Sequence, residues 1–560
     1  MNSERQQLPN DGEASIGEYL IRRLQDYSIG AVFGIPGDYV LAFYGMLERS
    51  PLDVVGCTRE DCAGFAADAY ARLHGMGALC VTYCVGGLSV CNSVAGAFAE
   101  KSPVVVISGA PGLDERRSNP LLHHKVREFR TQMEVFEKLC IAATELSNPL
   151  IAFSEIDRVL DAADRFKRPV YIELPRDMVH VVPPTAYSYS RPVSESSPDA
   201  LAESIREATA RINAAHKPII IAGVEIHRFG LQEAVLRLAE QTQIPMAATL
   251  LGKSVVRETH PLYVGVYEGA IGRAEVTQFV EESDCVLLLG TFMTDINLGI
   301  YTAHLDMSKC IYATSEQLQI SHHFYHSLSL EMFLQGLIAS RPRATQRTIP
   351  AELGTCDRRP FEVDREQPLR VSRMMPILNE LLGKDNIVIA DIGDSLFGAT
   401  ELVAREQTDF LSPAYYASMG FGVPATVGAC VAKPGHRVVT ICGDGAFQMT
   451  GSELSTIVRR GFAPILIILD NHGYGTERFL HAGEWNYNEI LPWSYHRLPE
   501  IYGGGRGYLV QSEGEFADAL QSAWEDRSCV QIIQAKLAEG DASTTLLRLA
   551  KRMSHSVERR

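Results

Sequence analysis

Between residues 437 and 479 the chain carries groups that could hold a phosphorylated ligand. The apolar run Arg437 to Cys442 has the length of a buried strand and leads into Gly443-Asp444-Gly445. A helical pattern follows, with Phe447, Leu454, Ile457 and Val458 on one face. A strand, a glycine turn and a helix start place free backbone N–H groups and a positive dipole end at the carboxyl edge of a parallel sheet, where anions bind. Asp444 would repel an anion unless a cation lay between them. Magnesium meets that condition, because it takes oxygen ligands and joins one or two protein oxygens to phosphate oxygens. Twenty-four residues separate Gly445 from Asp470, enough for one helix and the strand Pro464 to Leu469. That strand returns Asn471 beside Asp444 and lets the His472-Gly473 turn offer a carbonyl. A lone Gly-Asp-Gly is otherwise a plain turn.

Other groups fall at the same kind of edge. Glu60-Asp61 opens a helix after the strand Asp53 to Gly56, which is also what a helix dipole favours with no further role. Asp38, in Phe33-Gly34-Ile35-Pro36-Gly37-Asp38-Tyr39, follows the first strand. Leu121-Leu122-His123-His124 follows the strand Val104 to Ser108. Taken singly, an aspartate after glycine is a turn or a cap, and adjacent histidines are surface-polar.

These groups need elements to position them. From Tyr19 to about His180 short apolar runs (Ala31 to Phe33, Val54-Val55, Ala78 to Thr82, Val104 to Ser108, Val170 to Glu173) alternate with helical patterns over Cys62 to Arg72, Ser89 to Ala99 and Glu155 to Phe166. Such alternation predicts a parallel sheet covered on both faces. A Pro- and Ser-rich stretch, Val181 to Ala200, reads as a linker. A second block has strands Pro218 to Ala222, Cys285 to Gly290 and Lys309 to Ala313 and a helix near Leu231 to Gln241. After a second linker, Ser340 to Gln367, a third block has strands Ile387 to Ala390, Arg437 to Cys442, Pro464 to Leu469 and Gln531 to Ala535. The expectation is three tandem doubly wound α/β domains, 1–182, 200–340 and 366–560, with a basic, frayed tail from Lys551 to Arg560.

Composition agrees. With 560 residues, 46% hydrophobic, the chain can bury large cores. Its formal charge of −16 argues against nonspecific attraction to nucleic acid or an anionic membrane. No run of about 18 apolar residues occurs, and Met1 to Ser15 lacks an apolar signal core. Twelve scattered cysteines with no CxxC pair point to free thiols in a cytoplasmic protein.

Gly443-Asp444-Gly445 followed by Asn471, with Ala446-Phe447-Gln448-Met449-Thr450 between, resembles the signature of thiamine-diphosphate enzymes. The family usually ends this motif with two asparagines, whereas here Asp470 precedes Asn471. The resemblance implies thiamine diphosphate and Mg2+ as cofactors, the metal held by Asp444, Asn471 and Gly473. Arg59-Glu60-Asp61-Cys62-Ala63-Gly64-Phe65-Ala66-Ala67-Asp68 resembles the family's glutamate motif, although Asp61 and Cys62 replace the usual Leu-Asn. It implies that Glu60, in a dry setting, shares a proton with N1′ of the aminopyrimidine. Met419 stands where the family puts an apolar wedge against the cofactor, and Asp394-Ser395 where it lines the cofactor, although core packing and a helix cap would explain these residues equally well. Gly443, Gly445, Ala446 and Tyr474 complete the implied cofactor site.

Asp38, His123, His124 and Glu477 together resemble the proton-transfer set of the pyruvate, indolepyruvate and phenylpyruvate decarboxylases. Acetohydroxyacid synthases generally lack the His-His pair. Turning a 2-oxo acid into an aldehyde and CO2 needs several proton steps, and imidazoles suit relay work. The resemblance implies that Asp38 and His124 serve the later protonation and release, that His123 tunes them, and that Glu477 assists near decarboxylation. Val224 to Gly230 looks more like bacterial aromatic and branched-chain decarboxylases. Thr476 is smaller than the aliphatic of pyruvate-specific relatives, leaving room for a larger side chain in a pocket that includes Leu396 and Leu480. An aromatic or branched 2-oxo acid is therefore expected. The family also assembles each site from two subunits, so a homodimer or homotetramer is implied. An acetolactate-forming carboligase would share the cofactor residues, and a noncatalytic diphosphate-binding protein would share the fold.

Overall fold

A computed structural model of the chain describes residues 14–191, 196–353, 361–405 and 409–558, with side chains of the last helix described through residue 553. Three sheets carry the fold, and the chain packs into two compact units. The first comprises Met1–Pro192, Val423–Gly435 and Thr450–Phe462, and the second comprises Val193–Gly422, His436–Met449 and Ala463–Arg560.

In the first unit β1 (Ala31–Gly34), β2 (Asp53–Gly56), β3 (Gly77–Val81), β4 (Val104–Ala110), β5 (Ala142–Glu145) and β6 (Val170–Pro175) form an all-parallel sheet in the order β2-β1-β3-β4-β6-β5. β4 is buried along its whole length, as a strand covered on both faces must be. The helix Glu60–His74 meets residues 423–432 of the helix Gly422–Ala432 so closely that a Cβ on Gly428 would lie 2.1 Å from the Ala66 carbonyl oxygen.

The second unit holds the other two sheets. β7 (Pro218–Ala222), β8 (Met246–Ala248), β9 (Tyr263–Val266), β10 (Cys285–Leu289), β11 (Cys310–Ala313), β12 (Leu318–Ile320) and β13 (His323–Tyr325) run in the order β13-β12-β11-β10-β7-β8-β9. The sheet is dominated by parallel pairing, as a doubly wound domain implies, and β12 and β13 add antiparallel at one edge, a feature that strand-helix alternation does not mark. β14 (Asn386–Ala390), β15 (Asp409–Leu411), β16 (Arg437–Gly443), β17 (Ile465–Asp470), β18 (Arg506–Val510) and β19 (Gln531–Lys536) form a parallel sheet in the order β15-β14-β16-β17-β19-β18.

Three expectations are corrected. The helix after Gly443-Asp444-Gly445 is broken into Asp444–Thr450, a 3-10 turn at Gly451–Glu453 and Leu454–Arg459, with the poor helix former Gly451 at the joint. The tail does not fray from Lys551 among the described residues: the helix Thr544–Glu558 continues past it, anchored by buried Leu546 and Leu549 and by Arg548, which donates to the Gly272 carbonyl at 3.0 Å, and residues 559–560 lie outside the described residues. The first linker ends early, because Ser197 caps a helix that starts at Pro198, a residue suited to the first helical position. Within the expected linkers, residues 192–195 and 354–360 lie outside the described residues. The second linker is pinned where Arg347 donates to the Lys217 and Pro218 carbonyls and to Ser283 Oγ.

Candidate active site

In each terminal sheet, neighbouring strands connect in opposite directions at one point, between β1 and β3 and between β14 and β16. Open α/β sheets bind ligands in the crevice at such a point.

At the first, the loop after β1 carries Asp38. A Cβ on Gly37 would lie 2.5 Å from Thr82 Cβ, so glycine lets this loop approach the end of β3. Asp38 Oδ2 is 2.7 Å from His123 Nε2. The His123 ring stacks on Tyr39 with centroids 4.8 Å apart, and His124 stands nearly perpendicular to it. His124 takes a left-handed backbone, φ 67°, and its Nδ1 is buried with no hydrogen-bond partner among the described residues. One ligand atom from each of Asp38, His123 and His124 falls within 4.8 Å of the others. The expected trio is therefore brought together. Its side chains stay open, 41% exposed for Asp38 and 59% for His123. Sequence reasoning missed Tyr39 and Arg176. The Arg176 guanidinium lies over the Tyr39 ring at 5.1 Å and 3.9 Å from Asp38, and is itself ion-paired to Glu115.

Glu60 begins its helix directly after the β2 turn. That turn is held by Glu453, whose Oε2 accepts from Thr58 N at 3.0 Å and Thr58 Oγ1 at 2.6 Å. The neighbouring Asp61 accepts from Arg59 and from Cys62 N. Glu60 is half-buried and makes no side-chain hydrogen bond among the described residues. The dry setting expected for it is thus incomplete within one chain.

At the second crevice, Asp391 follows β14 and accepts from Ile392 N, Gly420 N and Gly422 N at 2.8, 3.2 and 2.7 Å. Burial pushes its carboxyl up to about 6 against those N–H groups. Asp391 thereby ties down the loop that presents Met419, which is half-buried and not sealed in the core. Gly393, at φ 96°, turns the chain so that a Cβ there would lie 3.2 Å from Thr476 Oγ1. Asp394 accepts from Ser543 N at 2.9 Å and from the Ser543 hydroxyl, and burial pushes it up to about 6. Ser395 Oγ is buried with no hydrogen-bond partner among the described residues. Leu396, expected to line the substrate pocket, lies fully buried in the core cluster of this sheet.

Asp444 begins the helix after β16 and is almost fully buried. It accepts from Gly445 N at 2.7 Å and Gly473 N at 3.1 Å. Burial is the main cause pushing it up to about 6, and nearby Asp470 adds to it. The Tyr474 ring packs so close to Gly445 that a Cβ there would lie 2.7 Å from it. Ala446 is buried, and Gly443 has open space around it. Asn471, His472 and Gly473 follow β17. Arg478, unforeseen in the sequence, donates to the Asn471 and His472 carbonyls at 2.9 and 2.8 Å and presets this turn. Thr476 and Leu480 are half-buried and Glu477 is exposed on the helix Gly475–Leu480. A buried carboxylate, a side-chain amide and a glycine turn form a hard oxygen donor set, and the unpartnered Ser395 Oγ leaves a polar group for a ligand. These residues fit a divalent cation bound with a diphosphate.

Sequence profiles agree with this reading. Residues 14–135 match the thiamine pyrophosphate enzyme N-terminal TPP binding domain, 205–334 its central domain and 391–533 its C-terminal TPP binding domain. The chain is 36% identical over 544 residues to an indole-3-pyruvate decarboxylase of Azospirillum brasilense, covering 96% of this chain and 98% of that protein. An alpha-keto-acid decarboxylase of Mycobacterium avium (strain 104) is 32% identical over 544 residues, 96% of each. Pyruvate decarboxylase 3 of Arabidopsis thaliana is 30% identical over 555 residues, 97% of this chain and 93% of that protein. With both thiamine-binding domains and end-to-end relatives of this kind, the chain belongs to the thiamine-diphosphate-dependent 2-oxo acid decarboxylase family.

Proposed function

We propose that this enzyme converts an aromatic or branched 2-oxo acid, such as phenylpyruvate or indolepyruvate, to an aldehyde and CO2 without oxidation. The observation that carries the reading is the Asp38, His123 and His124 cluster, three proton-exchanging groups that cofactor binding alone would not need. The name of the Azospirillum relative and the small Thr476 support the larger side chain. Pocket size discriminates by about 1–3 kcal/mol per methylene, which selects a class of side chain and not one compound.

In this reading the domains are 1–182, 200–340 and 366–560, binding the pyrimidine end, joining, and binding the diphosphate end. Asp444, Asn471 and Gly473 hold Mg2+, and Gly443, Gly445, Ala446, Tyr474, Asp394 and Ser395 surround the diphosphate cofactor. Thiamine diphosphate supplies the electron sink for the bond that loses CO2. Met419, steadied through Asp391, supports the cofactor from its apolar side. Glu60 shares a proton with N1′ of the aminopyrimidine. Asp38 and His124 pass protons during protonation and release, His123 holds Asp38, and Glu477 assists near the leaving carboxylate. The pocket wall is Thr476 and Leu480.

The assembly is a homodimer or a dimer of dimers, with Glu60 from one protomer facing the cation site of its partner. The unfinished surroundings of Glu60 and the exposed Leu121, at 97%, and Val126, at 63%, support a second copy. We place the enzyme in the cytoplasm, because the cysteines among the described residues are free thiols. No helix among those residues is long and apolar enough to cross a membrane.

A screen of purified protein with thiamine diphosphate and Mg2+ tests this. Phenylpyruvate and indolepyruvate are expected to release aldehyde faster than pyruvate. Acetolactate from pyruvate with no free aldehyde from any substrate would overturn it.

A further inference from the structure

Asp470 ends β17, and the sheet register pairs it with Lys536 at the end of β19. Its carboxylate is fully buried. Lys536 Nζ lies 2.8 Å from Oδ2, and Gln534 Nε2 donates to the same oxygen at 2.6 Å. Gln534 is oriented in turn by His496, whose backbone N and Nδ1 reach its Oε1 at 3.1 and 2.7 Å. His472 Nε2 is 3.1 Å from Lys536 Nζ and 3.8 Å from Asp470 Oδ1. A buried carboxylate with no cation is costly, so Lys536 is needed as long as Asp470 is charged.

Asp470 is also the immediate neighbour of Asn471 and adds negative charge to the corner that holds Asp444. Two uncompensated carboxylates would draw a divalent cation more strongly and repel a diphosphate more strongly. We propose that Lys536 is a positioning residue that cancels the charge of Asp470, so that the corner presents only Asp444 as net negative charge to a cation-bound diphosphate. The inference rests on reading Asp444, Asn471 and Gly473 as the cation site.

The pair has a signature that loosened packing lacks. With the full chain, Mn2+ bound in the absence of coenzyme can be counted by paramagnetic resonance, and thiamine diphosphate uptake at constant Mg2+ can be followed by tryptophan fluorescence. In Lys536→Met, Mn2+ should bind more tightly and thiamine diphosphate more weakly, each by about tenfold. Adding Asp470→Asn should return both toward wild type. A fall in both affinities, no change in either, or failure of Asp470→Asn to restore them overturns the proposal. Should Lys536→Met fail to fold, Lys536→Gln is held to the same outcomes. If Asp444→Ala leaves Mn2+ binding unchanged in the wild-type background, the cation-site reading fails and the pair with it. If Asp444→Ala abolishes binding while Lys536→Met is silent, only the pair fails.

Discussion

The Asp38 and Asp444 corners both set carboxylates at the carboxyl ends of parallel strands, in opposite surroundings. Asp38 is 41% exposed and touches one histidine and, more distantly, one arginine. Asp444 is 1% exposed and held by two backbone N–H groups, with an ion-paired carboxylate next door. A group that must hold a ligand gains from being fixed before the ligand arrives, because no ordering cost remains. A group that must pass protons to a changing substrate gains from access. Under the proposed roles, burial thus separates holding from transfer where residue type does not.

The contrast breaks most visibly at Asp444. Asp444→Ala is expected to lower thiamine diphosphate uptake by at least about 100-fold, because a cation ligand should cost no less than the 10–100-fold of its supporting groups. Tryptophan quenching in a coenzyme titration measures it, and near-normal uptake would remove the holding role. Next come His123→Ala and Asp38→Asn. Each should lower turnover by about 10²–10⁴-fold, the usual share of a proton-transfer group, and leave coenzyme uptake unchanged. Equal losses in uptake and turnover would erase the distinction between the corners.

The smallest effect concerns Glu173, a buried acid at the end of β6 in the same unit as Asp38. Its Oε2 accepts from Tyr171 at 2.6 Å, and burial pushes its carboxyl up to about 7. The folded state holds this proton more tightly than the unfolded chain. Its contribution is therefore complete below the ordinary glutamate range and is lost as pH rises through about 7. Unfolding free energies from urea titrations at about pH 5 and about pH 8 should differ by an amount on the order of 3 kcal/mol, lower at the higher pH, and Glu173→Gln should flatten the trend. An unchanged slope in that variant would assign the pH dependence elsewhere.

Much of the architecture was legible because central strands are nearly continuous apolar runs, as in Val104–Ala110 and Ile465–Asp470. Most edge strands were not, β2 (Asp53–Gly56) excepted. Ala142–Glu145 is half-buried and Arg506–Val510 is mostly exposed, and neither carries a long hydrophobic run. Asp38, His123 and Asp444 could be singled out because each follows such a run or its turn. Asp391 and Arg478 act through a few bonds to main-chain groups and Ser543 through bonds to one side chain, which leave no periodic trace. The full burial of Leu396 on the helix Asp394–Ala399 depends on tertiary packing that its place in the sequence does not reveal. The unfinished surroundings of Glu60 depend on packing that pattern alone does not contain.

The contact at Gly428 bears on that glutamate. Two helices that meet with no clearance for a single methyl cannot slide past one another, so the rod headed by Glu60 is clamped at Ala66, less than two turns behind its acidic tip. The carboxylate proposed to share the coenzyme's proton therefore sits on a short cantilever with a stiff mounting. Whatever approaches it has to come to the acid, for the acid has no travel of its own beyond the swing of one side chain.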